Sequence, residues 1–387
     1  MTGARYSPRE LIDKLISFDT TSHKSNLDLI AFVQDYLTGW GVESLLLPNE
    51  DGNKANLYAT VGPNGPGGIV LSGHTDVVPV EGQDWSTDPF CVVERDGLLF
   101  GRGTCDMKAF LAVALAKVPD LVDRSLSTPV HLAFTYDEEV GCLGVRPLAE
   151  HIKQHLPRPA IVIVGEPTDM TVVNAHKSGH RFITEITGLE GHSSLPDKCV
   201  NAIMVAGEML GEINRIAEEF KSQPNRDQRF DTPYTSVHVG LIEGGTALNI
   251  IPLKCTIDWE ARGLPGFEAA ELVDRMNAYA AEHVVPQMHA VSSMTGVVTE
   301  HMDEIPALVP QDGSPAETLV MALARQNETF AVSYQTEAGY FQAIDIPTVI
   351  CGPGSIAQAH KPDEYVSLDQ VESCSKFMDR LVAHVSS

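Results

Sequence analysis

The sequence predicts an α/β protein with a largely parallel central sheet, interrupted by an inserted α+β domain of split-βαβ order. Three observations predict this. Short apolar runs such as "GGIVLSGH", "PVHLAFT", "AIVIVG" and "IPTVICGPG" alternate with amphipathic helical stretches, the pattern of a sheet buried on both faces. Between about Lys177 and Met302 the strand candidates alternate instead, as half-exposed antiparallel strands do. The 387 residues are enough for two domains.

Taken in order, "SPRELIDKLISF" begins with an N-cap serine and a first-turn proline and keeps helical spacing. "NLDLIAFVQDYLTGWG" is a second helix that stops at Gly39 or Gly41. The strands "NLYATVG" and "GGIVLSGHTDVVP", the helix "MKAFLAVALAKVPDLV", the strand "PVHLAFTYDEE", a helix near "VRPLAEHIKQHL" and the strand "RPAIVIVGEPT" follow. Next come the strand "GHRFITEITGL", the helix "NAIMVAGEMLGEINRIAEEF", the strands "TSVHVGLIEGG" and "LKCTIDWEAR", the helix "GFEAAELVDRMNAYAAEHVV" and the strand "AVSSMTGVVTE". This β-α-β-β-α-β order is that of a split βαβ unit. The α/β pattern returns with the helix "AETLVMALARQN". Residues 1–177 and 303–387 are therefore expected to form one domain and 178–302 an insertion.

Composition removes several function classes. A formal charge of −25 disfavours nucleic acid, whose partners carry basic patches. No stretch reaches the roughly 18 apolar residues of a membrane span. The N-terminal segment lacks the apolar core of a signal peptide, so the expected location is the cytoplasm. The seven cysteines are scattered and include no C-x-x-C pair, which fits neither a disulfide framework nor a zinc ribbon.

In open α/β sheets, sites form outside the carboxyl ends of the strands. Here "IVLSG" runs into His74 and Asp76, "HLAFTYD" into Glu138 and Glu139, "AIVIVG" into Glu166, and "TVICGPGSIAQA" leads to His360. Asp106 lies in "GRGTCDMK", just before a helix. Each residue alone has an ordinary reading: a hydrogen-bonded turn, a solvated strand end, or a helix N-cap for Asp106. Their recurrence at equivalent strand ends instead describes a carboxylate-rich two-metal site. Two imidazoles and several carboxylates suit Zn²⁺ or Co²⁺ without a thiolate. Two such ions activate water and polarise a carbonyl.

The stretches "SGHTDVVP", "GRGTCDMK", "TYDEEVGCLG", "VGEPT", "GLEGHSSLPDKCVNAI", "GGTALNIIP" and "GPGSIAQAHKPDEYV" resemble the di-zinc metallohydrolases, the family of acetylornithine deacetylases, succinyl-diaminopimelate desuccinylases, aminoacylases and carboxypeptidase G. The resemblance implies a di-metal catalytic domain with an inserted lid that dimerises. It implies that His74 and Glu166 bind one ion, that Glu139 and His360 bind the other, and that Asp106 bridges them. Asp76 would orient His74. Glu138 would be the general base of amide hydrolysis. His192, in the lid, would stabilise the oxyanion. Asn249 and Arg262 would hold the substrate carboxylate, with Gly354 and Ser355 offering further donors, although Arg262 reads equally as a surface salt-bridge residue. Two departures from the family pattern are Cys105 beside Asp106 and "GLEG" before His192.

Within the family, "TEAGYFQAIDIPTVICGPGSIAQAHKPDEYV" is most similar to the acetylornithine deacetylase branch. Desuccinylases tend to carry a Ser-Asp-x-Arg segment where this chain has Thr336-Glu337-Ala338-Gly339. Glu337 either suits a substrate with a free side-chain amine or is a structural hydrogen-bonding residue. The resemblance thus implies a small-molecule N-acyl amino acid substrate, N2-acetyl-L-ornithine first and other N-acyl amino acids second.

Overall fold

Four fully buried apolar runs become parallel neighbours in the structure, a computed structural model that describes residues 3–224 and 226–386. They are Val130–Thr135, Ile69–His74, Ile161–Pro167 and Thr348–Gly352, side by side in that order. Further strands extend them to eight: antiparallel Ala55–Val61 and Ser44–Pro48 on one side, antiparallel Val173–His176 and then Phe330–Val332 on the other. Residues buried on both faces need no polar alternation, which is why these runs read as continuous apolar segments.

Helices pack on this sheet. Pro8–Ile16 starts at a complete capping box between Ser7 and Glu10. Leu27–Gly39 ends before Gly41, whose φ of +74° suits glycine. The single helix expected over 107–122 is two, Lys108–Ala116 and Val118–Val122, because Pro119 has no N–H to continue the ladder. Leu368–Val385 closes the core with Phe377, Met378 and Leu381, against Phe110, Leu132 and Val349 of the same cluster.

The second unit has a four-stranded antiparallel sheet in the order Ser236–Gly244, Lys254–Gly263, Ser178–Thr187, Gly296–Ile305. The helices Ala202–Ser222 and Ala270–Tyr279 share its core with Phe182, Ile257 and Trp259. The first unit comprises the chain up to Ala175, Leu308–Ala331 and Thr336 onward; the second holds His176–Ala307 and Val332–Gln335. The return to the first unit therefore lies five residues beyond the expected Met302. The last strand runs on to Ile305, which still pairs with Gly179. No helix among the described residues is long and apolar enough to cross a membrane.

Candidate metal centre

The carboxyl ends of the four parallel strands converge on one cluster, buried on the side of His74, Asp106 and Glu166 and open at His360, whose side chain is 54% exposed. His74 is fully buried, and its Nε2 lies 3.0 Å from Asp106 Oδ1 and 3.8 Å from Glu166 Oε1. His360 approaches Asp106 from the other side: its Nε2 is 3.3 Å from Asp106 Oδ2 and 3.0 Å from Glu139 Oε2. Asp106 thus presents one carboxylate oxygen to each imidazole. Ligand atoms of His74, Asp106 and Glu139 lie within 4.8 Å of one another, as do those of His74, Glu138 and Glu166.

Local structure explains how adjacent acids share this centre. After Thr135 the chain leaves the strand: Asp137 takes φ +54° and Gly141 φ +110°. Cys142 N–H donates to Glu138 O and Gly144 N–H to Tyr136 O. A Cβ on Gly144 would stand 2.2 Å from that carbonyl, so only glycine closes the loop. Asp137 points away from the cluster and pairs with buried Lys54. Glu138 and Glu139 are left for the centre.

Asp76 has a different arrangement from the one expected. His74 Nδ1 meets the backbone carbonyl of Asp76 at 3.0 Å, and the nearer carboxylate oxygen is at 3.6 Å. The carboxylate instead accepts the backbone N–H groups of Glu138 at 3.1 Å and Glu139 at 3.3 Å, and the Ser22 hydroxyl at 2.8 Å. Asp76 therefore holds the glutamate turn against the His74 strand.

Electrostatics make the cluster a trap for cations. Burial and neighbouring acids raise the carboxyl groups of Glu138, Glu139 and Glu166 above the carboxylate range. Burial also pushes Asp106 up, but His360 and His74 more than reverse this and hold it low. The same contacts push His360 up to about 10. Glu166 Oε1 is buried with no hydrogen-bond partner, an orphan that a bound cation would satisfy. Two imidazoles and four carboxylates fit divalent ions of the zinc type, while the Cys142 thiol donates to Glu138 Oε1 at 3.3 Å. The buried Cys105 thiol donates to the Ser355 carbonyl, and burial raises it far above the usual thiol range. It is an inert core thiol.

One positioning residue escaped the sequence reading. Glu364 Oε1 accepts the backbone N–H groups of Gly103, Cys105 and Asp106 at 2.8–3.0 Å, and its Oε2 accepts buried Arg102 at 2.7 Å. It fixes the loop that presents Asp106. The only sequence signal was an acid inside the matched stretch "AHKPDEYV".

Two expected substrate contacts are corrected. Glu337 is fully buried, and its oxygens accept the Ser72 hydroxyl at 2.6 Å and the Thr135 hydroxyl at 2.8 Å. It ties strand to helix and does not face a substrate amine. The Gly354 N–H donates to Gln370 Oε1 at 3.3 Å, so it is already engaged. Ser355 is half-buried beside it. His192, Asn249 and Arg262 belong to the second unit. There His192 is exposed, with Nδ1 2.8 Å from Ser194 Oγ, and Ser193 N–H donates to Asn249 O. Arg262 pairs with Glu260 at 3.1 Å on the surface.

The family model for peptidase family M20/M25/M40 matches residues 70–384. The acetylornithine deacetylase of Pasteurella multocida (strain Pm70) is 34% identical over 368 residues, 95% of this chain and 93% of that protein. Among solved structures, aminopeptidase PepT from Bacillus cereus superposes with a TM-score of 0.74 at 19% identity, covering 99% of this chain and 100% of that one. YXEP of Bacillus subtilis, described as a dinuclear metal-binding peptidase, superposes at 0.68 with 15% identity, covering 98% and 96%. The chain belongs to peptidase family M20/M25/M40 and is a metal-dependent amide hydrolase.

Proposed function

We propose that this chain hydrolyses N2-acetyl-L-ornithine to L-ornithine and acetate, the step that yields ornithine for arginine synthesis in the cytoplasm. The observation that carries the substrate is the 34% identity to an acetylornithine deacetylase along nearly the whole of both chains. In this reading two divalent ions occupy the centre, zinc first and cobalt second. His74 and Glu166 would hold one and Glu139 and His360 the other, with the two Asp106 oxygens offered to both. When bound, the ions supply Lewis acidity toward the amide carbonyl and acidify water.

The chain's own residues do the rest. Glu138 takes a proton from the attacking water and passes it to the leaving amine nitrogen. Its raised pKa in a buried carboxylate cluster supports that exchange. Asp76 keeps Glu138 and Glu139 in register with His74 through the two backbone N–H contacts. His192 donates to the oxyanion, and Asn249, Arg262 and the Ser355 hydroxyl hold the substrate carboxylate. With Glu337 buried, the preference for ornithine rests on the likeness to the deacetylase alone. A homodimer through the second unit accords with its edge strand Ser236–Gly244, where Leu241 and Ile242 are 63% and 49% exposed.

The test is turnover by zinc- or cobalt-loaded protein on N2-acetyl-L-ornithine, N-acetylmethionine and succinyl-diaminopimelate. The expected result is at least tenfold higher kcat/KM on the first. A preference for either of the others overturns the substrate assignment.

A further inference from the structure

A second group of metal-ligating side chains lies wholly within the second unit, and nothing in the hydrolytic reading uses it. His180, on the strand Ser178–Thr187, meets His301 and Glu304 on the neighbouring strand Gly296–Ile305. Ligand atoms of the three residues lie within 4.8 Å of one another.

Strand register explains the meeting. Residues three apart on a regular strand point to opposite faces. Here the pairing steps from His301 opposite Phe182 to Asp303 opposite Arg181 and Glu304 opposite His180, so Met302 is an extra residue in a bulge. Directly opposed residues of an antiparallel pair share a face. His301 and Glu304 therefore stand on the face that carries Phe182 and His180. His180 is buried, while His301 and Glu304 are exposed, so the group is open to solvent on one side.

The contacts of His180 suit metal binding through Nδ1. His180 Nε2 lies 2.9 Å from the Ser178 hydroxyl oxygen, the group it donates to in the tautomer whose Nδ1 is unprotonated. In that tautomer Nδ1 turns its lone pair toward His301 Nε2, 3.4 Å away. That spacing exceeds the roughly 2.9–3.0 Å of an ordinary N–H hydrogen bond. It matches the roughly 3.3–3.4 Å edge of a tetrahedron whose metal–nitrogen bonds are about 2.0–2.1 Å. A ligating imidazole that donates its other N–H to an oxygen is the usual support of such sites. Phe267 lies edge-on to the His180 ring at 5.2 Å and Phe182 lies 5.2 Å from the His301 ring, which gives the polar group an apolar wall.

We propose that His180 Nδ1, His301 Nε2 and a Glu304 carboxylate oxygen form a second, separate binding site for a zinc-type divalent ion. The three ligands leave a fourth position for water. A bound ion would cross-link two neighbouring strands of the sheet.

The experiment uses the full chain, stripped with chelator and dialysed against zinc, with metal counted by plasma mass spectrometry. Wild type should hold one more zinc per chain than His301→Ala, and Glu304→Gln should weaken that extra equivalent by at least about tenfold. His283→Ala, at an exposed histidine of the same unit, should keep it. His301 is exposed, so its variant is expected to fold, and an unchanged melting temperature in chelator checks this. If His301→Ala binds as much zinc as wild type, or if His283→Ala loses the same equivalent, the site is overturned.

Discussion

The parallel-strand ends of the first unit and the bulged strand of the second both gather imidazoles and carboxylates, but they do so at different cost. In the first unit, His74, Asp106 and Glu166 are buried, and their charges are confined by a shell that is buried too: Asp76, Glu364 with Arg102, and Lys54 with Asp137. In the second, His301 and Glu304 are exposed, and the Ser178 hydroxyl meets buried His180 at Nε2. Desolvated acids repel and must be compensated, whereas exposed ones are compensated by solvent. A buried centre therefore needs a supporting network and an exposed one does not.

The sharpest way to break this contrast is to remove single glutamates of the buried turn. Glu138→Ala should lower kcat by about 10²–10⁴-fold, the span of general acid–base catalysis, and keep its metal. Glu139→Ala should lose metal as well. Equal metal loss in the two variants would dissolve the division between base and ligand.

The next effect falls on stability. Glu364→Ala strands Arg102 in the interior and frees three backbone N–H groups, so it should cost about 3–5 kcal/mol in denaturant unfolding. His301→Ala, at the exposed cluster, should cost no more than about 0.5 kcal/mol without metal. Comparable losses would show that burial does not separate the two regions.

The smallest effect is a pH slope. Glu138, Glu139, Glu166, His74 and His360 all have raised folded-state pKa values. At these five sites the folded chain then binds more protons than the unfolded one. Stability is fully present below the unfolded pKa values and is lost as pH rises through the folded ones. In chelator, the part of the melting temperature that these groups contribute should be lost between about pH 5 and 10. Asp106, held low, acts only below its unfolded value near about 3.9, outside that window. Zinc should reverse the fall. A flat profile in chelator would mean that the acids are not the burden described.

Much of the first unit was legible because its signals are local. An apolar run followed by a ligand-type residue marks a strand end whichever strands lie beside it. Glu364, Lys54 and the turn-holding role of Asp76 were not legible. Each acts on a partner 62–262 residues away, through backbone N–H groups or a buried ion pair that leave no periodic trace. Glu337 was left with two readings for a related reason: whether a carboxylate faces a ligand or two hydroxyls depends on the neighbouring strands, not on its own segment. The helix Leu368–Val385 was passed over although its amphipathic spacing was available to be read.

Met302 carries a lesson for searching sequences. A scan for ligand pairs on strands looks two positions ahead, and a scan for pairs on helices looks three or four. The bulge writes a strand pair, His301 and Glu304, with a helix's spacing. Deleting Met302 would shorten the motif to His-x-Glu while leaving the same partners opposite. Homologous chains could thus hold one ion with two different spellings, and a pattern built on either would overlook the other.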